Sequence, residues 1–488
     1  MKNSQDKSLQ AARAAGVLVG MACGDALGAA YEFGGPIARD REIGMVGGGA
    51  FKWEPGEWTD DTDMAIPIAE ILSEGHEITD PEQLDWLVDT WKYWAARSKD
   101  VGSQTSAVLR GNDFSGERPA VYAKRRADEV WGAIAKRGAT GGTGALMRTS
   151  PLALGYLDRP EGELAQAARI VAGLTHGGEY SASACVLWCI AIRHAVLTGE
   201  LAIRRGLKFL PQGDMKRWES YITAAERGVP SDFHRDNGQV LGAFQGAWCA
   251  VNGSVSFETA VEDAVRGGGD TDTVAAIAGG LAGAFYGVAQ MPSKWRRALH
   301  GFSVVRPMRY RDLVNLAVLS MRHGMPDGVN RWPEADYFKP GFERTLVQHP
   351  HDDGVWMGSL AAVDMKPDVD VVISMSRVGT EQYEGKGELI EFWLVDYPGE
   401  NINTAYVLAD AADAVAEARG HGKTVLIHCY AAHSRTPSTA AAYSVRHLGV
   451  PADKAIREVC AVLPSAMPQT FLTAAVKKLA EDMKPVLQ

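Results

Sequence analysis

WTDDTDMAIPIAEIL at 58–72 and GGGDTDTVAAIAGGLAGAF at 267–285 set aspartates and threonines side by side at the head of an apolar run. Gly and Thr surround these acids, rather than Lys or Arg. Apolar residues at spacings of three and four predict a buried helix behind each cluster. One role for DDT and DTDT is to cap those helices, because Asp and Thr accept from the first free N–H groups and suit the positive end of the dipole. A carboxylate cluster without basic partners is also costly unless water or a cation neutralises it. Hard cations such as Mg²⁺ or Mn²⁺ take oxygen ligands, which Asp and Thr supply. Two such clusters within one helical region favour cation binding alongside capping.

The helical texture extends outward from these clusters over residues 8–325. PEQLDWLVDTWKYWAARS (81–98) opens with Pro81 after Asp80, an N-cap, and repeats apolar residues at Leu84, Leu87, Val88, Trp91 and Trp94. YRDLVNLAVLSMRHG (310–324) closes on His323 and Gly324, a basic last turn and a C′ glycine. No short period repeats, which excludes a solenoid. TVAAIAGGLAGAFYGVA (273–289) is shorter than the roughly 20 residues that span a bilayer, and its Gly and Ala suit a closely packed core helix. AAGVLVGMAC (14–23) follows Lys2, Lys7 and Arg13 in a signal-like order. Asp6 interrupts that basic region, and Leu9, Ala12, Gly16 and Val19 fall on helical spacing, so a buried helix is expected and no membrane partner.

After Gly324 the texture changes. MPDGVNRWPEADYFKPGFERTLVQHPHDDG (325–354) is rich in Pro, Gly and charge. β-like runs follow: GVWMGS, VDVVISM, LIEFWLVD and TVLIHC, with helical runs between and after them such as INTAYVLADAADAVAEARG (402–420). Strand–helix alternation implies a mostly parallel sheet. The expected architecture is multidomain: an all-α domain over 8–325, a linker over 326–344 and an α/β domain over 345–488.

Composition narrows the function. With 488 residues, 46% apolar and 23% charged, the chain is neither disordered nor a disulfide-stapled miniprotein. Lys and Arg number 50 against 60 Asp and Glu, for a formal net charge of −10. That balance lacks the basic field of a nucleic-acid binder, so nucleic acid is not an expected partner. An anionic ligand must instead be held by metals, backbone N–H groups or single arginines. Six cysteines without a CxxC pair argue against a disulfide framework and a zinc site, and a reducing cytoplasm is the expected compartment. Cys185 and Cys189, four apart, read as small core residues.

GMACGDALGAAYEF (20–33), WTDDTDMA (58–65), GTGALMR (142–148), THGG (175–178) and GGDTDTVAAIAG (268–279) resemble, in order, the motif series of the ADP-ribosylglycohydrolase family. The resemblance covers roughly residues 9–323. It implies an all-α fold with two Mg²⁺ (or Mn²⁺) ions that removes ADP-ribose from an ADP-ribosylated protein or conjugate. The implied metal ligands are Thr59, Asp60, Asp61, Asp270, Asp272 and Thr273. Glu32 matches a catalytic glutamate of some relatives, and Asp100 in SKDVGSQT matches an acidic position near the distal ribose in others. Such ions would hold ribose hydroxyls and orient a water while a carboxylate moves the proton or stabilises oxocarbenium-like charge. The pyrophosphate is expected on N–H groups of a glycine loop at a helix N-terminus, with Gly141, Gly142 and Gly144 as candidates. His176, beside glycines, is either an ADP-ribose contact or a structural histidine. Thr143 stands where many relatives carry Asn, which bears on affinity or linkage preference.

HCYAAHSRT (428–436) places Cys429 and Arg435 with five residues between them. Strand-like TVLIH leads in and helical PSTAAAYSVRHLG leads out. A loop entering a helix N-terminus points several N–H groups inward, and Arg forks onto oxygens, which together suit a tetrahedral dianion. The segment resembles the HCx5R[ST] signature of the dual-specificity and tyrosine phosphatases. The similarity extends over about 345–488, including WMGSLAAV, VVISMSRVG and LVDYPGENI. It implies Cys429 as nucleophile, Arg435 as phosphate ligand, Asp396 as general acid and Thr436 as an aid to departure from the thiophosphate. Ala432 and His433 depart from the Gly and small or basic residues frequent there. The expectation is a bifunctional hydrolase with a second, phosphorylated substrate. The alternative is an ADP-ribose sensor attached to an active phosphatase.

Overall fold

Glycines four apart bring two helices into backbone contact and thereby shape the helical region. In the computed structural model, residues 2–110, 116–303, 306–325, 344–363, 365, 368–376, 387–464 and 466–482 are described. The chain divides into two compact units. One comprises Gln10–Met291 and Trp295–Pro326; the other comprises Asp327–Gln488 with Met1–Leu9 and Pro292–Lys294. The expected linker falls almost wholly on residues 326–343, outside the described residues.

In the first unit, Gly16, Gly20, Gly24 and Gly28 share one face of the helix Lys2–Gly28. A Cβ on Gly16 would stand 2.2 Å from the Gly283 carbonyl oxygen, and one on Gly20 would stand 2.4 Å from that of Gly279. On Gly24 it would stand 1.9 Å from the Ala275 oxygen, and on Gly28 2.4 Å from Asp272 Cα. The helix Thr271–Tyr286 therefore runs antiparallel to the first helix with no side chain between them. The contact delivers the end of one helix, with Asp25, to the start of the other, with Asp272.

The stretches Leu9–Gly28 and Glu179–Thr198 are long and apolar enough to cross a membrane, but 89% and 72% of the apolar 18-residue segment in each is buried. They are core helices. Trp188 in the second of them donates its Nε1–H to the Ile277 carbonyl at 3.1 Å, tying it to the Thr271–Tyr286 helix. The helix expected at 81–98 spans Pro81–Ala95 behind Asp80 at the N-cap. The last helix of the unit is Tyr310–Met321. Its left-handed stop begins one residue earlier than expected, on His323 (φ 51°) ahead of Gly324 (φ 73°). His323 holds that conformation with Nε2 3.0 Å from Asp158. One small departure from an all-α unit is an antiparallel pair, β1 (His300–Phe302) with β2 (Pro307–Arg309).

The second unit is built on a sheet of β3 (Leu346–His349), β4 (Asp352–Ser359), β5 (Val371–Ser374), β6 (Glu388–Glu391) and β7 (Val425–Cys429). Their spatial order is β3-β4-β7-β5-β6. Four strands are parallel, and the edge strand β3 is antiparallel to β4. β7 is central and buried at all five residues. Parallel strands end together, so β7 brings Cys429 beside Ser359 of β4. The LIEFWLVD run forms strand only as far as Glu391, which leaves Asp396 on the connection beyond the sheet.

Candidate active site

Asp25 organises the first acidic cluster. It is fully buried and accepts from the Thr59 N–H (2.8 Å), the Thr62 N–H (3.0 Å) and the Thr62 hydroxyl (2.6 Å). The free N–H groups at the start of the helix Asp60–Ser73 are thus capped by a residue of another helix. Neither Thr59 nor Asp270, the N-cap residues of the two acid-led helices, makes a side-chain capping bond. This corrects the capping expectation: with the helix start satisfied from Asp25, the adjoining side chains turn toward one another. Thr59 Oγ1 lies 3.2 Å from Asp61 Oδ2 and 3.5 Å from Asp272 Oδ2, which joins the two clusters. The last acid of WTDDTD is occupied elsewhere. Asp63 accepts from the indole N–H groups of Trp58 and Trp94, each at 2.9 Å.

Two carboxylate triads result, and they share one residue. Oxygens of Asp25, Asp61 and Asp272 lie within 4.8 Å of one another, and so do those of Glu32, Asp270 and Asp272. Asp61 Oδ1 and Glu32 Oε2 are buried without a hydrogen-bond partner. Burial, and then the charge of the neighbouring acids, raises the pKa of Asp60 and Asp61 well above the usual carboxylate range. The same causes push Glu32 up to about 10, and burial with the charge of Asp272 pushes Asp100 up to about 6. Orphaned oxygens, a donor set of carboxylates and threonine hydroxyls, and mutual repulsion all fit hard divalent cations.

A cleft of about 640 Å³ opens beside the triads. Glu32, Asp60, Asp100, Gly141, Gly142, Gly144, His176, Asp270, Asp272 and Thr273 all line it, while Thr59 and Asp61 lie behind its wall. The glycine loop differs from expectation. It runs into turns and the 3-10 helix Ser150–Tyr156, so no α-helix N-terminus faces the cleft there. The reason is local: the Leu146 and Met147 N–H groups both return to the Thr143 carbonyl. The Gly142 N–H is also taken, donating to Gln104 Oε1 at 2.9 Å. A Cβ on Gly144 would stand 2.7 Å from His176 Cε1, so glycine there lets the imidazole reach the cleft. Besides Asp25, the sequence reading missed Gln104, Gln239 and Asn237. Gln239 accepts from the Thr140 N–H (2.9 Å), and Asn237 Oδ1 accepts from the Asp270 N–H (3.0 Å). GDALG was the available signal for Asp25, as an acid within an otherwise apolar helix; the amides carried none.

In the second unit, Cys429 ends β7 and Arg435 begins the helix Arg435–Leu448. Arg435 Nη1 donates to the carbonyls of Met375 (3.2 Å) and Leu394 (3.0 Å), and its Nε lies 3.8 Å from Asp396 Oδ2. Asp396 Oδ1 is buried without a partner. The loop turns through Ala432 at φ 58°, a left-handed conformation that frequently calls for glycine. Thr436 donates its hydroxyl to the Gly358 carbonyl on β4 at 3.2 Å, so it braces the loop. Burial pushes His428 down to about 4 and keeps it neutral.

The sequence profile of the ADP-ribosylglycohydrolase family matches residues 6–329. The ADP-ribosylarginine hydrolase Tri1 of Pseudomonas putida (strain GB-1) is 31% identical, covering 58% of this chain and 73% of its own length. The ADP-ribosyl-[dinitrogen reductase] glycohydrolase of Rhodospirillum rubrum is 30% identical, covering 58% of this chain and 88% of its own. Human DUSP28, 22% identical with a TM-score of 0.26, covers 28% of this chain and 94% of its own. That likeness leaves the expected phosphatase kinship of the second unit to be argued from its own residues. Residues 6–329 carry the acid-led helices and the whole cleft between them, and by that match the chain belongs to the ADP-ribosylglycohydrolase family.

Proposed function

We propose that the helical unit is a divalent-cation-dependent hydrolase that removes ADP-ribose from a modified side chain. The observation that carries this reading is the pair of carboxylate triads meeting at Asp272, with orphaned buried oxygens on Asp61 and Glu32. Thr59, Asp60, Asp61, Asp270, Asp272 and Thr273 would hold Mg²⁺ or Mn²⁺. Bound there, such ions supply Lewis-acid stabilisation to substrate oxygens and neutralise the cluster. Glu32, with Oε2 free of protein partners, moves the proton between the attacking water and the leaving atom. Asp100, on the wall of the same cleft, stabilises positive charge that builds on the ribose. The diphosphate would lie along the glycine loop where Gly141, at φ 93°, lines the cleft. The names of the two bacterial relatives make an N-glycosidic arginine linkage the first substrate to test.

For the second unit, the proposed activity is phosphate monoester hydrolysis. Cys429 attacks phosphorus, Asp396 protonates the departing oxygen, and water then frees phosphate from the cysteine. Arg435 holds the phosphoryl oxygens. Support comes from the strand–loop–helix placement of Cys429 and Arg435 and from Asp396 lying against Arg435.

The test is release of free ADP-ribose from an ADP-ribosylarginine peptide by the full chain, with Mg²⁺ and after chelation. Asp61→Ala and Asp272→Ala are expected to abolish release, while aryl phosphate hydrolysis by the same preparations stays close to wild type. ADP-ribose binding without release would make the unit a sensor. Release unaffected by chelation would refute the cation role.

A further inference from the structure

Arg148 is fully buried, and among the described residues no carboxylate pairs with it. Its guanidinium lies 3.9 Å over the Trp91 ring, and its Nε has no partner. Its Nη2 donates to Thr175 Oγ1 at 2.6 Å, and the same Oγ1 lies 2.8 Å from His176 Nδ1. His176 is 2% exposed and lines the cleft, with its other nitrogen against the glycine loop: a Cβ on Gly142 or Gly144 would stand 3.5 or 3.0 Å from Nε2. No hydrogen bond to Nε2 occurs among the described residues.

Proton accounting settles the tautomer. A guanidinium has only donors, so Thr175 Oγ1 accepts from Arg148 and keeps one hydroxyl proton to give. The acceptor within reach is His176 Nδ1. The opposite tautomer would aim two donors at Oγ1 and strand the hydroxyl proton in a dry site. Doubly protonated imidazole is excluded by burial and by the Arg148 charge, which hold the His176 pKa down at about 3.

We infer that Arg148 and Thr175 fix His176 as its Nε2–H tautomer, making it a permanent hydrogen-bond donor to a phosphoryl oxygen of the ADP-ribosyl diphosphate. This rests on the proposed reading of the cleft as the ADP-ribose site. Arg148 and Thr175 are positioning residues, since they act through the imidazole. A neutral donor here keeps its proton across the physiological range, so grip on the diphosphate does not titrate near neutral pH.

Long-range ¹H–¹⁵N correlation on the full chain labelled at histidine, with the His176 signal assigned by its loss in His176→Gln, reads the tautomer without ligand. Wild type and Thr175→Ser are expected to show Nε2–H alone, and Thr175→Val a mixture. Calorimetry with ADP-ribose should give Thr175→Ser near wild-type affinity and Thr175→Val about ten-fold weaker binding, the worth of one hydrogen bond to a charged acceptor. An Nδ1–H signal in wild type overturns the relay, as does a folded Thr175→Val that binds as tightly as wild type. An Nε2–H signal in a wild type that does not bind ADP-ribose leaves the tautomer standing but overturns both the donor role and the reading of the cleft.

Discussion

Replacing Gly24 by alanine strikes the contact that assembles the acidic site. The new methyl would stand 1.9 Å from the Ala275 oxygen, 2.4 Å from its carbonyl carbon and 2.9 Å from the Ala276 nitrogen. All three are backbone atoms, so no side-chain rotation relieves the clash. Reaching even a tight contact of 3.0 Å separates the helices by about 1 Å. Asp25 adjoins Gly24, and Asp272 lies one turn before Ala275, so the separation passes directly into triads whose oxygens now sit within 4.8 Å. Overpacking of this kind costs about 1–3 kcal/mol. For a unit of this size that lowers the melting temperature by several degrees. A displacement of about 1 Å at reacting groups costs about 10²-fold in rate. Gly24→Ala should therefore melt earlier, need more Mg²⁺ and release ADP-ribose about a hundred-fold more slowly, with aryl phosphate turnover unchanged. Gly173→Ala is the control, because a Cβ there meets nothing within 4 Å. Wild-type melting and ADP-ribose release in Gly24→Ala would refute the role given to the glycine row.

Three further expectations follow from the same geometry. In chelator, stability should fall as pH rises from about 4 towards 10, because Glu32 and Asp100 hold protons in the folded state (about 10 and about 6) that they lose near 4.5 and 3.8 when unfolded. Glu77, held down at about 2 by Arg159 and Tyr156, works in the opposite sense between about 2 and 4.5, so its gain is nearly complete where the fall begins. Mg²⁺ should flatten the fall in a calorimetric pH series, and a melting temperature that rises with pH in chelator would contradict the cluster's electrostatics. Asp25→Ala orphans the Thr59 and Thr62 N–H groups in a fully buried site and should cost about 3 kcal/mol in urea unfolding; an unchanged midpoint would show that the helix start is satisfied in another way. Cys429→Ser should abolish aryl phosphate hydrolysis but keep vanadate binding, and Arg435→Lys should weaken that binding about ten-fold because an ammonium cannot fork. Vanadate binding unaffected by Arg435→Lys would remove the arginine from the phosphate site.

Both acidic clusters were legible because Asp and Thr at the head of an apolar run form a local pattern. Their meeting in one site was expected from two such clusters in one helical region; the part played by Asp25 was not, although GDALG sets that acid within an otherwise apolar helix. Reading DDT as a cap applied the right physics to the wrong residue: the Thr59 and Thr62 N–H groups at the start of the helix Asp60–Ser73 are satisfied by Asp25 of another helix. The glycine row was not read from the sequence, because only the partner helix shows why each Cβ is forbidden. The same limit holds for Gln104, Gln239 and Asn237, whose amides matter for the distant backbone groups they hold. In the second unit the parallel strands were readable as apolar runs. LVQH in β3 was not, being short, at the edge and only partly buried.

Titration of the cation-free full chain with Mn²⁺, read by calorimetry in parallel for wild type and Asp272→Asn, counts the ions that the two triads hold. Asp272 belongs to both carboxylate triads, so two ions are expected per wild-type chain and at most one, weakly held, in the variant. A wild type that binds no ion, or an Asp272→Asn that binds two with unchanged affinity, would contradict the cation role of the triads.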